Sequence, residues 1–188
     1  AILSYGSLSI NGARFLNNTA NSGGAIFLQT TGGPVIINDS VFEGNYSRSI
    51  GGGFDAEGGA IYATRDLTIT GGEFINNKGR AGGAICTYIP FGPATCMLTS
   101  QNVTYKNNIA TGSSNLGGGA VCARAGLIVN GGSFENNSAS FDGGAIYSAS
   151  AQSVSNISGA TFKNNSAPNG GAVVFVGATE KTVTGPRS

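Results

Sequence analysis

The chain repeats one pattern six times, and that repetition leaves it few folds to choose from. The clearest copy is residues 67–85, LTITGGEFINNKGRAGGAI. Leu67-Thr68-Ile69-Thr70 alternates apolar and polar, the pattern of a strand with one buried face. Gly71-Gly72 marks a turn, Glu73-Phe74-Ile75 resumes as a strand, and Gly82-Gly83 leads into a third strand at Ala84-Ile85. The LxIxGxxF box recurs at residues 8–15, 35–42, 67–74, 98–105, 127–134 and 155–162. Three residues after each aromatic stands an asparagine: Asn18, Asn45, Asn77, Asn108, Asn137 and Asn165. A Gly-Gly-Ala-Ile/Val element follows every copy, and successive copies lie about 29 residues apart, within the range of solenoid repeats.

A strand–turn unit this short cannot bury its own apolar face. Stacking such units buries it and pairs each strand edge with the next coil. Three short strands per coil, with no helical pattern between them, predict a right-handed parallel β-helix of about six to seven coils, forming one segment over residues 1–188. Leu67, Ile69 and Phe74 are expected to point inward. Their equivalents form columns spaced ~4.8 Å apart. The aromatic column is Phe15, Phe42, Phe74, Tyr105, Phe134 and Phe162. The asparagine column is placed at a corner, where each side chain can satisfy turn backbone and the asparagine above it. Gly at 32 of 188 residues, without a collagen period, suits a fold made of corners.

The third strand leaves a question open. Its third position reads Phe27, Tyr62, Cys86, Cys122, Tyr147, Val174. Neighbouring strand residues face opposite ways, so either this column or the Ile/Val column faces outward. Either choice gives an apolar stripe of about 300 Å², as large as the biggest patch on an ordinary monomer. The 87–97 stretch leaves this face and is expected to fold back over it, bringing Tyr88 and Phe91 near Cys86 and Cys122. In parallel register Cys86 and Cys122 come within disulfide reach. Cys96 is an alternative partner for Cys86, and three free thiols are the other option.

Three corners are longer than the rest: residues 46–57, 87–97 and 109–117. Insertions on a solenoid project outward and commonly carry binding chemistry. The candidate binding residues are Arg48, Phe54, Asp55 and Glu57 in the first, and Tyr88, Ile89 and Phe91 in the second.

Several function classes are disfavoured. The chain has no histidine, so Ser-His-Asp and Cys-His arrangements cannot form. Asp55 and Glu57 are the only close acid pair, and a solvated loop explains them. No enzymatic activity is therefore expected. A formal net charge of +1 gives no nucleic-acid footprint. No apolar run can span a bilayer, so this segment is not expected to insert directly into a membrane. Calcium repeats need Asp at a fixed interval, and the GGGF at residues 51–54 opens no helix, so no metal or cofactor is expected. Seven Asn-x-Ser/Thr sequons, including those at Asn136 and Asn164, lie mostly at the asparagine corner and read as structural by-products.

The GGAI tetrapeptides at residues 23–26, 58–61, 82–85 and 143–146, alternating with FLNN at 15–18 and FINN at 74–77, resemble the repeats of the chlamydial polymorphic membrane proteins. The resemblance covers nearly the whole chain, with Tyr105 in place of Phe and Val121 and Val173 in place of Ile. It implies the passenger segment of an autotransporter. Such a segment is displayed extracellularly, anchored to the outer membrane through a region outside this sequence, and used to bind a protein or glycan on a target cell. The family supplies no catalytic residues. A structural spacer or fibre, self-associating through solenoid ends or a lateral face, is the alternative, and a polysaccharide-active enzyme is a distant third. Both ends of the sequence fall inside a repeat, so a longer parent protein is expected.

Overall fold

A computed structural model gives the architecture, with residues 2–29, 33–48, 57–88, 96–113, 116–149, 154–177 and 180–185 described. The described residues form strands and corners without helix, and every strand pairs in parallel with its equivalent one coil away. One coil shows the plan. A box strand, Leu67–Thr70, is followed by an aromatic strand, Glu73–Ile75, a two-residue corner strand, Lys78–Gly79, and an Ala-Ile strand, Ile85–Thr87. Repeat positions pair with like positions: Leu67 lies between Val35 and Leu98, and Phe74 between Phe42 and Tyr105.

Two expectations are corrected. Each full coil has four strands rather than three, because the segment after each ladder asparagine also pairs. The signal was a small residue two positions on: Ala20, Ser47, Gly79, Ala110 and Ala139. Ser47, Gly79, Ala110 and Ala139 are buried, so the segment alternates outward and inward like any strand. The corner sheet has five strands, while the box and Ala-Ile sheets have seven each. About five turns therefore carry the full set, fewer than the six to seven expected.

The core is the interior of this coil. Leu67, Ile69 and Phe74 are fully or almost fully buried, as are most of their equivalents. The aromatic column Phe15, Phe42, Phe74, Tyr105, Phe134, Phe162 is a continuous stack, with ring centroids 4.6 to 5.3 Å apart and planes within 18°. Coil spacing sets this distance. Tyr105 keeps its place because its hydroxyl finds Ser100 Oγ at 2.9 Å inside the core.

The asparagine column forms one hydrogen-bonded ladder. Asn77 Nδ2 donates to Phe42 O at 2.9 Å and to Asn108 Oδ1 at 3.0 Å. Its own Oδ1 accepts from the backbone N–H and Nδ2 of Asn45. The pattern repeats from Asn18 to Asn165. Asn45, Asn77, Asn108 and Asn137 are fully buried, which is affordable because each polar atom has a partner. The residue before each ladder asparagine adopts the left-handed conformation: Asn17, Asn76, Asn107, Asn136 and Asn164 at φ 53–55°, and Gly44 at 65°. Asparagine tolerates this region well. The sequon reading changes accordingly. Asn17, Asn136 and Asn164 are exposed corner residues and not ladder members, whereas the sequon at Asn45 is the buried ladder residue itself.

Both glycines of the GGA element are fixed by geometry. Gly82 has φ +61°, where a side chain is strained. A Cβ on Gly83 would collide with the carbonyl oxygen of Gly119 in the next coil and with the backbone of Ile109. The next coil can approach this closely only over glycine.

Candidate functional site

The Ala-Ile sheet carries the least repetitive chemistry. In the strand Ile85–Thr87, Ile85 joins the interior column with Ile61 and Val121, while Cys86 faces out beside Tyr62 and Cys122. The Ile/Val column is thus inside and the Phe27–Val174 column outside. The middle of this outer face is nevertheless buried. Cys86 and Cys122 are 0% exposed and Tyr147 is 1% exposed, packed with Ala81, Leu116 and Tyr62 as a second small core.

Over this second core lies an ion pair. Arg124 Nη2 is 2.9 Å from Glu57 Oε1. Arg124 directly follows the strand Val121–Ala123, and its backbone N–H donates to Thr87 O at 3.0 Å. Its guanidinium also sits over the Tyr88 ring, 4.8 Å from the centroid. The Tyr88 backbone N–H is fixed to Ala63 O at 3.0 Å. The Cys86 thiol approaches Glu57 Oε2 at 3.5 Å. A charge withdrawn from water is tolerable only when matched. Glu57 and Arg124 match each other, and the Tyr88 ring adds cation–π attraction. Arg124 Nε is buried without a hydrogen-bond partner among the described residues. Burial pushes the neighbouring Tyr62 hydroxyl well above its usual range, with Cys86 and Glu57 adding to the shift.

Glu57 is therefore not part of a solvated loop. It is 5% exposed, bridges to Ala81 in parallel fashion, and is ion-paired, so it cannot serve as one half of a free acid pair. Arg48, at the other end of the same insertion, is exposed, and its backbone still donates to Ala20 O. Phe54, Asp55, Ile89 and Phe91 lie outside the described residues. Glu57 ends the 46–57 insertion and Tyr88 is the second residue of the 87–97 insertion, and Arg124 holds both. Sequence reasoning missed Arg124. Its signal was a charge immediately after an apolar strand, at the position Tyr88 holds one coil earlier. The third insertion reaches the same face through Leu116.

Cys86 and Cys122 are direct register partners, both present as buried thiols. Cys96 is elsewhere. Its Sγ donates to Arg65 O at 3.0 Å, ahead of the box strand Met97–Gln101. A separate groove follows the turn after the box strands, lined by Gln101, Asn102, Asn130, Ser158 and Thr184. It offers amides and hydroxyls but no charge. Among the described residues no group of three His, Cys, Asp or Glu could hold a metal ion.

Three segments match the Chlamydia polymorphic membrane protein repeat: residues 12–29, 39–64 and 131–149. Each begins just after a box strand and runs through the aromatic strand, the asparagine corner and the Ala-Ile strand. The matched unit is thus the ladder-bearing part of a coil, and the box strand falls outside it. Proteins carrying this repeat are surface-associated. No curated protein and no solved structure matches the chain. No helix of the described residues is long and apolar enough to cross a membrane.

Proposed function

We propose that this segment is the β-solenoid passenger of an autotransported surface protein, and that it acts as an adhesin scaffold. The outer side of the Ala-Ile sheet presents its insertions to a protein or glycan on a target cell. One observation carries the reading: Arg124 anchors the last residue of one long insertion and the second residue of another at a single point. A bare spacer has no use for such convergence, because its coils need only the ladder. The repeat matches and the solenoid fit a surface passenger. Outward loops on a rigid scaffold are where binding residues concentrate.

The test replaces residues 49–56 and, separately, residues 89–95 by short Gly-Ser links, keeping Glu57 and Tyr88 so that the anchor survives. Beads coated with each variant are scored for attachment to epithelial cells and to a glycan array, with circular dichroism confirming the β fold. Loss of attachment with either variant is expected. Undiminished attachment by both would sink the reading.

A further inference from the structure

The outer face holds two thiols placed for a reaction with each other. Cys86 and Cys122 are Cα partners in adjacent parallel strands, on the same face of the sheet. Such partners stand ~4.8 Å apart, inside the window that a disulfide spans without backbone movement. We propose that Cys86 and Cys122 form a redox pair that closes into a coil-to-coil disulfide, leaving Cys96 as a thiol. The proposal does not depend on what the passenger binds.

The surroundings favour this pairing over the alternatives. Cys96 is held away from the pair by the carbonyl oxygens of Arg65 and Ala63, and burial pushes its thiol up to about 12. It stays protonated and unreactive at neutral pH. Cys122 is the more acidic member of the pair. The adjacent Cys86 side chain lowers it by more than burial raises it, and the Arg124 guanidinium adds a favourable charge. Cys86 itself is pushed up, by burial first.

The chemistry is an exchange with a small disulfide such as oxidised glutathione. The Cys122 thiolate attacks one sulfur of the oxidant, the S–S bond breaks, and the departing thiolate takes up a proton. Cys86, giving its proton to Glu57 or solvent, then attacks the Cys122 sulfur and expels the second glutathione thiol. Two protein thiols are oxidised and one glutathione disulfide is reduced to two thiols. The bridge would enclose both the 87–97 and 109–117 insertions in one covalent loop, directly beneath the Arg124 anchor.

Because both thiols are buried, the experiment refolds the full chain from denaturant in a glutathione redox buffer and quenches it with acid. Free thiols are then counted by maleimide labelling and intact mass. Wild type is expected to lose two hydrogens and keep one reactive thiol. Cys96→Ser should lose the same two hydrogens and keep none, whereas Cys86→Ser and Cys122→Ser should form no internal bridge. Chymotryptic cleavage after Tyr88 separates Cys86 from Cys96 and identifies the partners. The heat-unfolding midpoint of oxidised Cys96→Ser should exceed that of the same chain after reduction by on the order of 10 °C. A refolded Cys96→Ser chain that retains both thiols, a bridge involving Cys96, or a bridge between two chains would overturn the proposal. If a serine variant at either paired position fails to fold, the Cys96→Ser thiol count and peptide map still decide.

Discussion

The inside of the asparagine corner and the outside of the Ala-Ile sheet are built on opposite rules. At the corner every coil does the same thing: an aromatic stacks on an aromatic, and an amide bonds an amide. On the outer face the coils do not share one residue. Phe27, Tyr62, Cys86, Cys122, Tyr147 and Val174 succeed one another, and the Glu57–Arg124 ion pair spans the face at a single point. Both regions bury polar groups, but the ladder satisfies them by repetition, while the outer face satisfies them with one-off partners. Repetition builds the scaffold, and departure from it marks where something particular is held.

The comparison breaks hardest at the ladder. Asn77→Ala removes one rung: Phe42 O and both donors of Asn45 lose that partner in a dry corner, while Asn108 Oδ1 keeps only the backbone N–H of residue 77. Each orphaned buried group costs ~1–3 kcal/mol. The expected loss is about 3–5 kcal/mol in urea unfolding, and a loss below about 1 kcal/mol would show that the ladder is decoration. The outer face should respond less and in a different way. Glu57→Ala strands Arg124 over the second core and should cost about 2–3 kcal/mol, while Glu57→Met with Arg124→Met should recover most of it, because apolar replacement removes both desolvated charges. No paired substitution to apolar residues should rescue the ladder, whose backbone partners remain. Equal rescue at the two sites would erase the distinction. The smallest effect belongs to Tyr88. Tyr88→Ala gives up a cation–π contact and should cost about 1 kcal/mol, with Tyr88→Phe near wild type because the ring face is what Arg124 meets. A large loss in the Phe variant would mean that the hydroxyl, not the ring, is in use.

These rules also explain what could be read from the sequence. Phe74, Asn77 and Gly83 were legible because each recurs at a fixed offset in every copy, so register followed from counting. The corner strands were harder to see. Two residues give too little alternation to recognise, and only the small residue two places after each ladder asparagine betrays them. The Glu57–Arg124 pair could not be read at all. The two residues are far apart in sequence, occur once each, and meet only because coil geometry brings the end of one insertion over the start of another coil's exit. Glu57 in particular looked solvated, since Gly-rich surroundings give no sign that a charge is buried.

The asparagine ladder also gives the solenoid a direction. From Asn18 through Asn137 each side-chain amide donates to the next ladder asparagine toward the C-terminus, ending on Asn165. The amide dipoles along this line all point the same way, and aligned hydrogen bonds polarise one another. Wherever such a column stops, its two faces differ: one offers an unfilled carbonyl oxygen, the other an unspent N–H. A coil can extend the column only in the same sense, since reversing it sets acceptor against acceptor. The molecule is therefore vectorial along its axis, and adding or deleting whole repeats changes its length without changing that arrow.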